Sequence, residues 1–418
     1  MLYICGIGSI IHNSISYDAC ISNNKCIIAN EDFKLITDLN QKWVEFKWFN
    51  STYEKEFEYY KSFMVFLENP KYINSNQIEF EISYAFQFYN KKIKNITFTS
   101  KALTNFYNEK INAKEFKKEY LIKKLEETMH KTSTYEVPLS FGLFSFRFEN
   151  EIFYMPREEI INNIFPFDFK TTLTIEKKNE NICYDEILKL IKYFFDFNRF
   201  ISLNKYTKID DCFIELIDSD ENDSVIEVGI FKNYMNNYKF EECFNILDFG
   251  DSITKFLVEN GKFLNHSDNM YHFENGKTYA FDSVRISGAF EKIFKKYVKV
   301  NEIEGNQQKN QSKYLKDKLE YIFKKYCDCL NYNYDKAINF FYDPKNMSVR
   351  FKDARNDIAH GLENDKINWY KVSKDGFFVQ QLIYFMILKY ALNVPNEKIK
   401  NSLCRIYRWY NYSFVNNK

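Results

Sequence analysis

Residues 282–297 read DSVRISGAFEKIFKKY, and their spacing decides the character of the C-terminal third of the chain. Ile286, Ala289, Phe290, Ile293, Phe294 and Tyr297 fall at i, i+3, i+4, i+7, i+8 and i+11, one apolar face of an α-helix. Asp282 or Ser283 is available as its N-cap. Downstream, Leu315, Leu319, Ile322, Phe323, Tyr326 and Leu330 repeat the pattern, and Asp335 to Tyr342 fits a short third helix. Ser348 fits the cap of a helix that turns Phe351, Ala354 and Ile358 inward and stops at Gly361. Residues 376–393 predict a long apolar helix ended by Pro395. Asn396 then opens a last one carrying Ile399, Leu403, Ile406, Tyr407 and Tyr410. Residues 283–418 therefore predict an all-helical bundle.

Upstream the pattern is mixed. Met1 to Ile11 is apolar with no Lys or Arg before it, so it reads as a first strand and not as a signal peptide. Ser14 to Tyr17 and Cys26 to Ile28 read as strands around a turn at Asn23-Asn24. Residues 54–66 fit a helix. Phe80 to Tyr89 and Ile93 to Thr99 fit strands, and Lys114 to Met129 a charged helix. Phe144, Phe146 and Phe148 alternate with Ser145, Arg147 and Glu149. That is a half-buried strand, with a hairpin turn expected near Glu149-Asn150. A second block opens at Asp168 with a strand over Thr171 to Glu176. A helix over Tyr184 to Ile201 follows, showing Ile187, Leu190, Ile191, Phe194 and Phe195 on one face. Strands over Cys212 to Ile217 and Val225 to Phe231 flank an acidic loop, Asp218 to Ser224. Residues 245–265 fit no single element, and 265–277 read as a linker. The expected class is α+β: a β-rich domain at 1–167, a second α/β subdomain at 168–280 and the helical bundle at 283–418.

The formal net charge of +1 conceals an asymmetry. Residues 283–418 hold 25 Lys plus Arg and 14 Asp plus Glu; subtraction from totals of 58 and 57 leaves 33 and 43 in residues 1–282. A basic tail attracts polyanions over long range, and the acidic remainder suits a different task such as sensing or restraint. Nine Cys without framework spacing fit reduced thiols in the cytoplasm. The apolar run Phe377 to Leu392 contains Gln380, Gln381 and Lys389 and suits a core helix better than a membrane span.

Several chemical signals fall short. His266 and His272 flank Asp268 but have no helix-spaced partner for a metal site. Asp218, Asp220 and Asn222 resemble a calcium loop whose glycine position is taken by Asp223. Asp248-Phe249-Gly250 lacks the other kinase motifs, and Gly6-x-Gly8 lacks a third glycine. No metal and no cofactor is expected.

Arg355-Asn356-Asp357-Ile358-Ala359-His360 offers a more complete chemical set. A guanidinium presents a permanent fork to phosphate oxygens, and an imidazole moves protons near neutral pH. RNA carries its own nucleophile, the 2′-OH, so Arg355 and His360 suffice in kind for metal-free phosphodiester cleavage. Arg350 and Lys352 are near enough in sequence to bind RNA phosphates. A plainer reading pairs Arg355 with Asp353 or Asp357 and leaves His360 to meet the free carbonyls of a helix end. Residues five apart also diverge by roughly 140° on an ideal helix. Distortion near Gly361, or pairing of two copies, must bring them together.

A bundle of this size carrying Arg-polar-x-x-x-His near its end resembles the HEPN superfamily. The stretch Ser287-Gly288-Ala289-Phe290-Glu291-Lys292-Ile293-Phe294 and the two-part layout are similar to its ApeA-like branch. The resemblance implies a metal-independent endoribonuclease of bacterial antiphage (abortive-infection) or toxin systems, usually a homodimer joined through the HEPN domain. It implies that Arg355 and His360 are catalytic and Asn356 orienting. RNA is the implied partner, with tRNA a target by analogy, and a phage-derived protein a candidate trigger at the N-terminal region. The position two after His360 is Leu362, which departs from the tyrosine-bearing HEPN toxins. The alternatives are a non-catalytic RNA-binding or dimerisation adaptor, and the toxin of a toxin–antitoxin pair.

Overall fold

The computed structural model describes residues 6–12, 14–22, 24–29, 38–48, 62–74, 76–87, 92–108, 123, 126–154, 167–202, 209–217, 223–230, 244–264, 282–298, 314–331, 344–360 and 368–406. The class is α+β, with strands concentrated toward the N-terminus and helices alone from residue 244 onward among these residues. The expected helix at 335–342, the linker at 265–277 and Gly361 lie outside them.

The chain forms two compact units. The first comprises Met1–Thr104, Ile111–Phe195 and Lys208–Asn237, and the second Asn105–Lys110, Asp196–Thr207 and Tyr238–Lys418. In the first unit, six antiparallel strands close into a barrel: β1 (Gly6–His12), β2 (Ile15–Ser22), β3 (Lys25–Ala29), β4 (Lys42–Trp48), β5 (Ser62–Asn74) and β6 (Gln77–Gln87). The circular order is β1-β2-β3-β6-β5-β4. Closure leaves no exposed edge among these six, which removes a template for aggregation. Ser22 pairs with Lys25, so β2 and β3 form the expected hairpin. Residues 62–66 are strand, where a helix was expected. Phe63, Val65 and Leu67 alternate into the barrel core, so a period of two prevails over the local mixture of charges and aromatics.

A second antiparallel sheet has the order β12-β11-β7-β10-β9-β8. Its strands are β7 (Lys92–Thr99), β8 (Thr132–Leu139), β9 (Gly142–Tyr154), β10 (Phe167–Lys177), β11 (Asp211–Ile217) and β12 (Asp223–Glu227). Phe144, Phe146 and Phe148 are all fully buried, as their alternation implies. The expected turn at Glu149-Asn150 does not occur, because β9 runs on to Tyr154 beside β10. Asn150 is a turn former by its own chemistry. Here its amide accepts from Thr171 Oγ1 at 2.7 Å and donates to the Thr128 carbonyl at 2.7 Å, so it is satisfied inside a strand. The hairpin turn lies earlier, where Leu139 pairs with Gly142. After β12 the chain changes sheets at Val228, and β13 (Gly229–Ile230) joins barrel strand β6.

Helix α1 (Lys101–Tyr107) precedes β8, and α2 (Tyr184–Ser202) follows β10. Within the first unit, Phe194 of α2 stacks on Phe98 at 4.4 Å and Tyr193 meets Phe146 edge-on at 5.3 Å. The division expected between residues 167 and 168 is not present, because strands from both sides of it alternate in one sheet. Nor does 244–264 belong with 168–230. It folds as α3 (Ile246–Phe249) and α4 (Ile253–Leu264) in the second unit. Phe249 stacks on Phe256 at 4.4 Å, and Phe256 reaches Phe200 at 5.0 Å and Phe197 at 5.9 Å. Asn245 and Asp248 form a capping box, so the Asp248-Phe249-Gly250 triplet is a helix start and stop.

The rest of the second unit is α5 (Asp282–Tyr297), α6 (Leu315–Leu330), α7 (Pro344–His360), α8 (Trp369–Met386) with a π-turn at Ile387–Ala391, and α9 (Asn396–Ile406). The apolar faces predicted for α5 and α6 are buried, except that Tyr297 is only half-buried. Among the described residues no helix is long and apolar enough to cross a membrane.

Two glycines respond oppositely to a methyl group. A Cβ on Gly8 would lie 2.0 Å from the Lys47 carbonyl oxygen on the neighbouring strand, whereas one on Gly288 in α5 meets nothing within 4 Å. Gly8→Ala should destabilise by roughly 1–3 kcal/mol. Gly288→Ala should stabilise by roughly 0.5–1 kcal/mol. Scanning calorimetry of the two variants checks both signs.

Candidate functional site

The motif lies at the C-terminal end of α7, and what holds that helix determines what the motif can do. Met347, Ser348, Phe351 and Ala354 are buried, which is a narrow inward stripe. It ends at Ala354: Arg355 to Ile358 are half-buried, and Ala359 and His360 are exposed. Ile358, expected inward, is only partly covered. Ser348 is not the N-cap, since the helix begins at Pro344, a residue suited to a first turn because it lacks an N–H. Ser348 instead donates its hydroxyl proton to Glu320 Oε1 on α6 at 3.2 Å.

Arg350 is committed to the scaffold. Its Nε and Nη2 donate to the two carboxylate oxygens of Asp375 on α8 at 3.0 and 2.9 Å. Asp375 is only 1% exposed. Burial pushes its carboxyl above the usual carboxylate range, and Arg350 partly counteracts this. A phosphate would have to displace a buried carboxylate to use that fork, so the structure does not present Arg350 as a phosphate ligand. Lys352 pairs with its neighbour Asp353 at 2.8 Å, and both side chains are half-exposed. Such a pair is weak, and Lys352 can exchange it for another anion.

Arg355 has a defined setting. Its Nη1 donates to Asn356 Oδ1 at 3.2 Å, and its Nη2 is 3.8 Å from Glu291 Oε2 on α5. The other oxygen of Glu291 accepts from Lys318 Nζ on α6 at 2.7 Å. Glu291 therefore stands between two cations and favours the shorter contact. The long, half-exposed contact to Arg355 positions the guanidinium loosely and leaves it exchangeable for a phosphate. The Asn356 bond adds a second restraint on the guanidinium. Helix α7 runs unbroken through His360. Arg355 and His360 thus remain separated by roughly 140° about one axis, and no distortion within the motif brings them together.

Glu291 and Lys318 complete this surface, and buried Asp375 anchors the helix that carries it. All three lie outside the motif in sequence, and nothing in their local pattern signals these contacts. The described cysteines are free thiols, and burial raises Cys26 and Cys327 to about 12.

No protein-family model, curated protein or solved structure matches the chain.

The Arg350–Asp375 pair makes a testable demand. Arg350→Met strands a buried carboxylate, at a cost of roughly 3 kcal/mol near neutral pH. A raised native pKa means that Asp375 supports the fold most when protonated and less as the pH climbs through that value. Removing Arg350 raises the native value further. The penalty should therefore be largest at pH 7 and shrink on acidification. Denaturant midpoints of wild type and variant across pH 4–8 measure this.

Proposed function

We propose that the chain is a metal-independent endoribonuclease of the HEPN type, acting in bacterial antiphage defence by abortive infection. One observation carries the reading: Arg355, oriented by Asn356 and loosely held by Glu291, and His360 both occupy the uncovered end of a helix anchored by its other half. The basic balance of residues 283–418 supports a polyanionic substrate.

The chemistry follows from the groups. An imidazole takes the proton of a ribose 2′-OH, and that oxygen attacks the adjacent phosphorus. Arg355 stabilises the charge building on the non-bridging oxygens. The P–O5′ bond breaks, and a second acid returns a proton to the leaving 5′ oxygen. The products are a 2′,3′-cyclic phosphate and a 5′-OH. One His does not serve both faces of an in-line displacement, and Arg355 and His360 diverge on one helix. A homodimer resolves both problems by bringing two copies of the α7 end to one phosphate. Half-covered Ile358 and exposed Ala359 supply apolar surface beside the motif for that meeting. The N-terminal unit acts as sensor or restraint, with a phage-derived protein as trigger.

A second reading is favoured by the contact of Arg355 with Glu291: a non-catalytic adaptor whose bundle binds RNA or dimerises. One assay separates the two. RNA is incubated in EDTA with wild type, Arg355→Ala and His360→Ala, each purified from resting and from phage-challenged cells. Nuclease activity should fall at least about 100-fold in both variants, with cyclic-phosphate ends on the wild-type products. Equal cleavage by all three removes the catalytic assignment, and RNA binding without cleavage under either condition selects the adaptor.

A further inference from the structure

A cavity of about 600 Å3 opens on the helical unit away from the motif, between the C-terminal ends of α5 and α6, the π-turn and the start of α9. Its size is that of a small-molecule site. Lys318, which shares Glu291 with Arg355, and Asp328, which lines the cavity, are ten residues apart on α6, or roughly 15 Å. The cavity is thus separate from the motif.

Its lining has two parts. Tyr297, Phe385 and Tyr390 contribute rings from three elements, with Phe385 edge-on to Tyr390 at 6.2 Å. Lys325 and Lys389 contribute charge. Lys296 Nζ lies 4.8 Å from the centre of the Tyr297 ring. Lys389 and Lys400 both pull down the Cys329 thiol in the wall, although burial still raises it to about 11. The charged groups of the lining itself are two cations, Lys325 and Lys389, and one carboxylate, Asp328. Lys389 sits within the π-turn and donates to Asn396 Oδ1, which steers its ammonium. Such turns are rare and cluster at functional sites. Flat aromatic walls suit a planar heterocycle, and a surplus of ammonium groups suits a phosphate.

We propose that this cavity binds a nucleotide, a phosphate-bearing aromatic base, either free or as one unit of an RNA strand. The assignment does not depend on the nuclease reading.

Binding to the full-length chain is measured by titration calorimetry with AMP, ATP, a short oligoribonucleotide and pyrophosphate, at low and high salt. Saturable, salt-weakened binding of a mononucleotide or the oligonucleotide is expected. Lys325→Ala and Lys389→Ala should each weaken it by roughly tenfold. Asp328→Asn should tighten it by about two- to threefold, a direction that damage to the fold does not produce. AMP and ATP should bind Arg355→Ala and His360→Ala as they bind wild type, so failure of the cleavage assay leaves this result intact. Saturation by AMP or ATP identifies a free ligand, and binding of the oligonucleotide alone, weakened by Lys325→Ala and Lys389→Ala, assigns the cavity to the strand. The proposal is overturned if pyrophosphate binds as tightly as any nucleotide, if the three cavity variants bind like wild type, or if nothing saturates below millimolar concentration.

Discussion

A carboxylate with 1% exposure must be met by a cation, and for Asp375 that cation is Arg350. The pair is bidentate, so it sets both the rotation of α7 and its position along α8. Sliding α7 by one residue would turn Arg350 away by roughly 100° and leave a buried charge alone. Met347, Phe351 and Ala354 fill the same inward stripe. Ser348 adds a bond to α6, and Arg355 a loose contact to α5. The first two-thirds of the helix is thereby fixed, and the final turn and a half passes from half-buried at Arg355–Ile358 to exposed at Ala359 and His360.

That division explains why two arginines five residues apart have different fates. Arg350 meets a buried carboxylate at hydrogen-bond distance on both oxygens. Arg355 meets a half-exposed carboxylate at 3.8 Å, already engaged by Lys318. The first contact is costly to break and the second is cheap. A group that is to receive a transient phosphate needs the second kind of setting, with enough constraint to aim it and too little to hold it. His360, at the last position of the same helix, has the exposure that proton exchange with a substrate requires.

Much of this was legible in the chain, and the limits are physical. The faces of α2, α5 and α6 are contiguous patterns that local spacing reveals. So are Phe144, Phe146 and Phe148, and so is the Arg-Asn-x-x-x-His group. Failures occurred where a distant partner decided the outcome. Asn150 looks like a turn residue until Thr171 and Thr128 satisfy it. Ser348 looks like a cap until Glu320 accepts from it. Arg350 looks like a phosphate ligand until Asp375, 25 residues on, claims it. The boundary at 167/168 fails in the same way, because β10 lies between β9 and β7 in one sheet. Asn245-x-x-Asp248 is the exception: a capping box written in four adjacent residues that local reading could have found.

The interleaving of the two units limits how such a chain can be rearranged. Rings on segments before residue 210, among them Phe106, Phe197 and Phe200, complete the aromatic cluster that Phe249, Phe256 and Tyr384 build in the helical unit. No single cut separates one unit's residues from the other's. A genetic exchange that transplanted the tail alone would leave behind part of its foundation. Exchanging the helical portion therefore requires carrying over the earlier segments Asn105–Lys110 and Asp196–Thr207 as well.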